Sequence, residues 1–408
     1  MSPTRPRALV TLPDVAAPAD SGRRLRSWST LEGLGRLFDM DVVFLAGVPA
    51  ESTTPLSRAT ESARWLSSPP QDDTFFTALT RVTARRMPWA LAHQDWRGTR
   101  RHILEWSDPA GYDFAWYGAI GHCLALAPHV SSTRSAVDID DVESVKWRGY
   151  LRRRPARPGE AVEYVQRVLE LPMWRRAEKR VARLANALVL SAPDDVAECA
   201  GLGIHNTYVI PNTYPDPGRI RGRTPAHPPV LALVANFVHG PNREAAHTLV
   251  REVLPAVRQV VAETQVRLIG RGATAIAELA DEPGVDLVGA VEEIAPHLQD
   301  VLATVMPISF GGGTRLKVLE AFALGIPVIS TSLGVAGLGA VDHETFLVAE
   351  TPEDYVRSVL QLLGDPDLGR RLGDAGRRLY EKSFTPEASA DSIAALVKQL
   401  SPTEGAPC

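Results

Sequence analysis

Short apolar runs alternate along this chain with longer stretches in which apolar residues recur every three or four positions. In the first half, "RALVTL" (7–12), "DVVFLA" (41–46), "RSAVDI" (134–139), "ALVLS" (187–191) and "TYVIPN" (207–212) have the length and composition of strands. Helical periodicity separates them, clearest over 22–38, 143–152 and 159–185. In the second half, strand-like runs recur at 230–236, 266–271, 285–291, 301–308, 327–332 and 345–350, and helical stretches follow most of them. Strands that are near-continuously apolar and alternate with helices predict parallel sheets covered on both faces, the doubly wound α/β class.

The alternation is interrupted once. "PDPGRIRGRTPAHPP" (215–229) holds five prolines and two glycines in fifteen residues and has no periodicity, so it reads as a linker. With 408 residues there is chain enough for two cores. The expected architecture is therefore two Rossmann-like domains, 1–214 and 230–384, facing each other across a cleft. A last helical stretch, about 385–400, is placed to return to the first domain. Ligands of such sheets bind at the carboxyl ends of the strands.

Composition narrows the function classes. A net charge of −4 argues against a dedicated nucleic-acid binder. The three cysteines (Cys123, Cys199, Cys408) are too few and too scattered for a disulfide framework or a cysteine-based zinc site, which fits a reducing cytoplasm. No run of 18 apolar residues exists, and the N-terminus lacks the apolar core of a secretory signal. "MPWALAHQDWRGTRRHILEW" (87–106) interleaves aromatic and basic residues; an amphipathic helix turning its Trp and Leu side chains inward is favoured over contact with the inner face of a membrane. No H-E-x-x-H or G-x-S-x-G occurs, which removes zinc-protease and hydrolase readings. "GRGATA" (270–275) satisfies a dinucleotide fingerprint, but it follows the second strand of its domain and reads as a strand-to-helix turn.

The informative stretch is "SFGGGTRLKVLEAFALG" (309–325). A strand ends in Gly311, Gly312 and Gly313, and Thr314 is placed to cap a helix whose apolar face carries Leu316, Leu319 and Phe322, with Gly325 as its stop. Arg315 and Lys317 fall in the first turn, where the macrodipole already amounts to about +0.5 charge. Two cations there call for an anion, and glycines with helix N–H groups suit a diphosphate. Glu320 lies about 9 Å along the axis from Thr314 at ~1.5 Å per residue, within reach of a ribose diol. The competing reading makes Lys317 and Glu320 a surface (i, i+3) pair worth ~0.2–0.5 kcal/mol.

"PISFGGGTRLKVLEAFALGIPVISTSLGVAGL" (307–338) closely resembles the donor-site segment of retaining glycosyltransferases of the GT-B fold, family 4. "LALVANFVHGPNREAAHTLVREVLPAVR" (231–258), "VDLVGAVEEIAPHLQDVLATVMP" (285–307), "AVDIDDVESVKW" (136–147) and "VIPNTYP" (209–215) extend the resemblance over nearly the whole chain. It implies a sugar transfer from a nucleoside-diphosphate sugar to the hydroxyl of a small-molecule or glycan acceptor, without a cofactor or metal. Arg315 and Lys317 would stabilise the leaving diphosphate. Glu320 would hold the ribose, as the second Glu of the family's Glu-x7-Glu; the first is replaced here by Gly312. Asn236 would end the first strand of the donor domain, and Val288 and Gly289 would border the base. Ser21 and Gly22 would face the diphosphate from the first strand-to-helix loop, and Asp141, after Asp138 and Asp140, would serve the acceptor side. A sugar-nucleotide 2-epimerase and a non-catalytic sugar-nucleotide-binding protein are the alternatives.

Overall fold

A computed structural model of the chain describes residues 5–14, 22–45, 63–72, 74–151, 158–309 and 315–401, and side chains throughout these except 158–160. The chain divides into two compact units. The first runs to Thr213 and regains the chain from Pro386, and the second comprises Tyr214–Gly311 and Arg315–Thr385.

The strands in chain order are β1 (Arg7–Leu12), β2 (Asp39–Phe44), β3 (Arg64–Ser67), β4 (Gln71–Asp72), β5 (Gln94–Asp95), β6 (Tyr112–Tyr117), β7 (Ser132–Asp140), β8 (Ala187–Leu190) and β9 (Thr207–Val209) in the first unit. The second carries β10 (Val230–Val234), β11 (Gln265–Ile269), β12 (Val285–Gly289), β13 (Ala303–Met306), β14 (Val328–Ser330) and β15 (Leu347–Val348). The main sheet of the first unit has the order β3-β2-β1-β6-β7-β8-β9, and that of the second β12-β11-β10-β13-β14-β15. All pairings within both are parallel, for example Leu9 opposite Ala115 and Leu231 opposite Val266 and Ala303. β10 is buried along its whole length and β1 from Ala8 onward. Two-sided burial explains why these runs read as continuously apolar.

In both sheets the strand order reverses beside the first strand, between β1 and β6 and between β10 and β13. Connections diverge at such a point and leave a crevice at the carboxyl ends of the strands. The strand β6 was not among those expected from the sequence, and neither was β3. β6 lies at the reversal of the first sheet, with Tyr112, Phe114, Trp116 and Tyr117 all buried.

Three local differences from the sequence reading bear on function. The stretch 87–106 is two helical pieces, Trp89–Ala92 and Trp96–Trp106, separated by β5, because Gln94 and Asp95 pair with β4 and the Asp95 carboxylate caps the second helix at Arg97 N. Leu91, Trp96 and Trp106 pack against the core, the last beneath the Arg64 guanidinium at 4.7 Å. The helix expected from Thr314 begins at Leu316, with Arg315 in the capping position; Thr314 itself lies outside the described residues. Finally, 215–229 runs over the second unit: Ile220 N–H donates to Leu324 O, Ala226 N–H to Asp300 O and the Arg223 guanidinium to Val301 O. The last helix, Pro386–Leu400, packs on helix Gly22–Gly35, where Ile393 closes on Gly33.

Candidate functional site

In the second unit Asn236 follows β10, Val288 and Gly289 end β12, and the helix that carries Lys317 and Glu320 follows β13, next to β10 in the sheet. Gly311, Gly312, Gly313 and Thr314 fall outside the described residues, as does Ser21 of the first unit. Helix Leu316–Leu324 is buried from Val318 through Leu324, so it is enclosed on every side rather than amphipathic. Gly325 ends it in the left-handed conformation at φ 73°, where its N–H reaches back to the carbonyls of Ala321 and Phe322.

Enclosure changes the meaning of the charged residues on this helix. Glu320 is only 8% exposed, which rules out a solvated surface pair with Lys317. Burial pushes the Glu320 carboxyl up, opposed by a hydrogen bond from the Tyr214 hydroxyl to Oε1 and by the charge of Lys317. Tyr214 is fixed in turn: its N–H donates to Phe384 O, and its carbonyl accepts from the Tyr380 hydroxyl at 2.8 Å. Lys317 is half-buried, and its ammonium is pushed down to about 8, first by burial and then by the charge of Arg315, against the opposing pull of Glu320. A helix N-terminus with one cation in the capping position and another in its first turn favours an anion beside it.

Asn236 is exposed at the end of β10. Its Oδ1 accepts from Val238 N at 3.1 Å and its carbonyl from Asn242 Nδ2 at 2.7 Å, which holds the turn open at the sheet reversal. Val288 and Gly289 end β12, two strands away, and Gly289 O accepts from Gly270 N at 2.7 Å. The glycines of "GRGATA" serve this crossing. Gly270 has φ +136°, and a Cβ there would lie 1.9 Å from Ala235 O. A 3-10 helix, Ala273–Asp281, follows, so no α-helix N-terminus is offered to a dinucleotide.

In the first unit a cavity of about 330 Å³ opens at the carboxyl ends of β1, β6 and β7. Asp138, Asp140 and Asp141 lie on its wall, but each carboxylate is committed to a protein partner. Asp138 is bound by Arg26 (Nη2–Oδ1 2.6 Å, Nε–Oδ2 2.8 Å), whose Nη1 donates to Asn212 Oδ1 and Ile210 O. Asn212 Nδ2 donates to Asp140 at 2.7 Å, and Asp140 adopts the left-handed φ of 58°. Asp141 accepts from Ser191 at 3.4 Å and lies 3.7 Å from Lys146 Nζ, which also binds Glu143 at 2.8 Å. Burial, then the charge of Asp140, pushes the Asp141 carboxyl up to about 6. Gly22 opens helix Gly22–Gly35, and Arg23 and Arg26 from its first turns reach the cavity wall.

Sequence reasoning missed His122, Arg26, Trp96 and Tyr214. His122 lines the cavity, and burial pushes its imidazole down to about 3, so it is neutral. The Thr11 hydroxyl donates to Trp116 O at 3.3 Å and lies 3.1 Å from His122 Nδ1. The carbonyl can only accept, so Nδ1 carries the proton and Nε2 is left as an acceptor. The signal for β6 was its aromatic run; none marked His122.

Residues 228–365, roughly a third of the chain, match the family model "Glycosyl transferases group 1". The lipopolysaccharide core biosynthesis glycosyltransferase LpsE of Rhizobium meliloti is 26% identical over 53% of this chain and 65% of its own length, so the match spans less than two thirds of that relative. Among solved structures, the sucrose-phosphate synthase of Thermosynechococcus elongatus matches with a TM-score of 0.65 at 18% identity, over 97% of this chain and 99% of that one. Anabaena HepE in complex with UDP matches with a TM-score of 0.61 at 11% identity, over 97% and 100%. The chain has the GT-B fold, and the stretch that matches the group 1 glycosyltransferase model lies in its second unit.

Proposed function

We propose that the protein transfers a sugar from a nucleoside-diphosphate sugar to an acceptor hydroxyl, with retention of anomeric configuration, in the assembly of a bacterial polysaccharide or glycosylated natural product. The observation that carries this reading is the enclosed helix of the second unit. Two cations stand at its N-terminus and a buried carboxylate, Glu320, lies one turn on, at a sheet reversal where ligands of this fold class bind. The group 1 family match over this unit and the UDP carried by a protein of the same fold support the donor class.

As the glycosidic bond to the donor phosphate breaks, negative charge grows on the leaving diphosphate. Arg315 and Lys317 stabilise that charge, and being fixed by the fold they need little reorganisation during the step. Lys317, held near a pKa of 8, becomes fully charged when the diphosphate arrives. Glu320, held by Tyr214, accepts from the ribose hydroxyls and fixes where the phosphates fall along the helix. The acceptor occupies the cavity of the first unit, where Trp96 offers an aromatic face and Asp141 orients a hydroxyl. The proton of that hydroxyl passes to the leaving phosphate on the same face of the sugar, which leaves the anomeric configuration unchanged.

The test is a thermal-shift panel of nucleotide sugars, since specific binding raises apparent stability, followed by acceptor-dependent release of nucleoside diphosphate in the presence of EDTA. Turnover that persists in chelator and a product of unchanged anomeric configuration by NMR coupling constants are expected. Binding without acceptor-dependent turnover would favour a non-catalytic sugar-nucleotide-binding protein. Loss of turnover in EDTA with recovery in Mg²⁺ would place a metal at the carboxylates of 138–141 instead.

A further inference from the structure

The second unit carries another, larger recess, built from the linker 215–229, the loop after helix Leu316–Leu324 and helix Pro366–Ser383. Its wall holds six arginines (Arg219, Arg221, Arg223, Arg370, Arg377, Arg378) against the three carboxylates Asp367, Asp374 and Glu381. Half of the arginines have structural work. Arg219 binds Asp374 and packs on Gly325. Arg377 binds Asp216 and Glu381 and donates to Ala323 O at 2.5 Å, so it serves the carboxyl end of the helix, where a cation is favourable. Arg370 binds Asp367 at 2.9 Å.

Arg221, Arg223 and Arg378 are different: none forms an ion pair among the described residues. Arg223 donates one Nη2 bond to Val301 O, while its Nε is buried without a hydrogen-bond partner. Burial, then the like charge of Arg219, pushes the Arg223 guanidinium down to about 10, an unusual depression for this group. A solvated basic surface does not bury a guanidinium nitrogen unpaired or set one guanidinium against another.

We propose that this recess is a second anion site, specific for a phosphate-bearing ligand, with Arg221, Arg223 and Arg378, which form no ion pair among the described residues, as its donors. Guanidinium groups match phosphate oxygens in pairs, and several of them lining one recess select a phosphate over a single carboxylate. The recess is lined by the linker itself, so its ligand would hold 215–229 against the second unit. None of this depends on the sugar-transfer reading.

The probe is inorganic phosphate, titrated calorimetrically into the full chain in an Arg315→Ala background, which weakens the anion site at helix Leu316–Leu324. Arg221→Ala/Arg378→Ala, both exposed and without structural partners, is expected to weaken the remaining binding roughly ten- to a hundredfold. Arg176→Ala/Lys179→Ala, at exposed positions on helix Pro158–Leu184 of the first unit, removes the same charge and is expected to change nothing. A parallel arm measures co-sedimentation with phosphatidylcholine vesicles with and without phosphatidylglycerol. Loss of free-phosphate binding in the groove variant assigns a soluble phosphate, and loss of vesicle binding alone assigns a lipid headgroup. If the groove variant behaves as wild type in both arms, or the control variant loses as much, the site does not exist.

Discussion

Removing one oxygen atom, in Tyr214→Phe, separates the two functions assigned to helix Leu316–Leu324. The Tyr214 hydroxyl donates to Glu320, whose carboxylate is buried and disfavoured by desolvation. A hydrogen bond to a charged group contributes ~1.5–3 kcal/mol. Its loss should raise the Glu320 carboxyl further. A carboxylate oxygen has two lone pairs, so Oε1 can accept from Tyr214 and from a ribose hydroxyl together. Tyr214 therefore aims the carboxylate rather than competing for it. Tyr214→Phe should weaken a ribonucleoside diphosphate about tenfold or more, with little effect on its 2′,3′-dideoxy analogue. Glu320→Ala should do the same more strongly, and the double variant should be no worse than Glu320→Ala alone, because the hydroxyl acts only through the carboxylate. Calorimetry on three variants and two ligands decides it. Equal weakening of both ligands by Tyr214→Phe, or tighter ribonucleotide binding, would refute the reasoning, the latter by making Tyr214 a competitor.

Arg315→Ala should weaken a nucleoside diphosphate roughly ten- to a hundredfold and leave the bare nucleoside almost unaffected; equal losses in the same titration would detach Arg315 from phosphate. Lys317, at about 8 in the free protein, should be raised by the bound diphosphate, so binding takes up a proton above that pH. Affinity should then fall as pH rises from 8 to 9.5, and Lys317→Met should abolish the slope; a flat wild-type profile would count against the contact. Arg26→Met leaves Asp138 buried without its counter-charge and should cost about 3–5 kcal/mol, read as a lowered urea midpoint, while Arg26→Met/Asp138→Asn should recover much of it.

Much of the architecture was legible because two-sided burial writes itself into the sequence. The strands β1, β7, β8 and β10–β15 fall within about two residues of their apolar runs. β6 escaped notice because "YDFAWYG" carries aromatic, acidic and small residues and no β-branched ones. The glycines and cations of 311–317 were visible as a motif, since their chemistry is local. What was not visible depended on distant partners. Tyr214 meets Glu320 across 106 positions and Arg26 meets Asp138 across 112. His122 owes its neutral state first to burial, with Thr11 and Trp96 against it, rather than to any neighbour in sequence. The enclosure of helix Leu316–Leu324 was misjudged for the same reason. Lys317 and Glu320 look like a surface pair until Tyr214 meets Glu320 and the helix is buried from Val318 onward.

The two sheets share one strand order, so topology alone does not decide which crevice takes the diphosphate. Charge does. The cavity of the first unit presents Arg23, Arg26 and Lys146, but Arg26 is spent on Asp138, and Lys146 lies against Glu143 and Asp141. A phosphate placed there would meet Asp140 and Asp141, and two like charges 4 Å apart repel by roughly 4 kcal/mol at an effective dielectric of 20. Arg23 alone would have to offset that. At the helix of the second unit the balance is reversed. Arg315 and Lys317 add to the helix dipole, burial and the like charge of Arg315 depress the Lys317 ammonium against the pull of Glu320, and Glu320 is held back by Tyr214 where a ribose rather than a phosphate would reach it. The first cavity suits a neutral, hydroxyl-bearing ligand beside Trp96, with Asp141, raised to about 6, able to accept from a hydroxyl while ionised at neutral pH. On the proposed sugar transfer, this difference in charge favours the second unit for the donor diphosphate and the first for the acceptor.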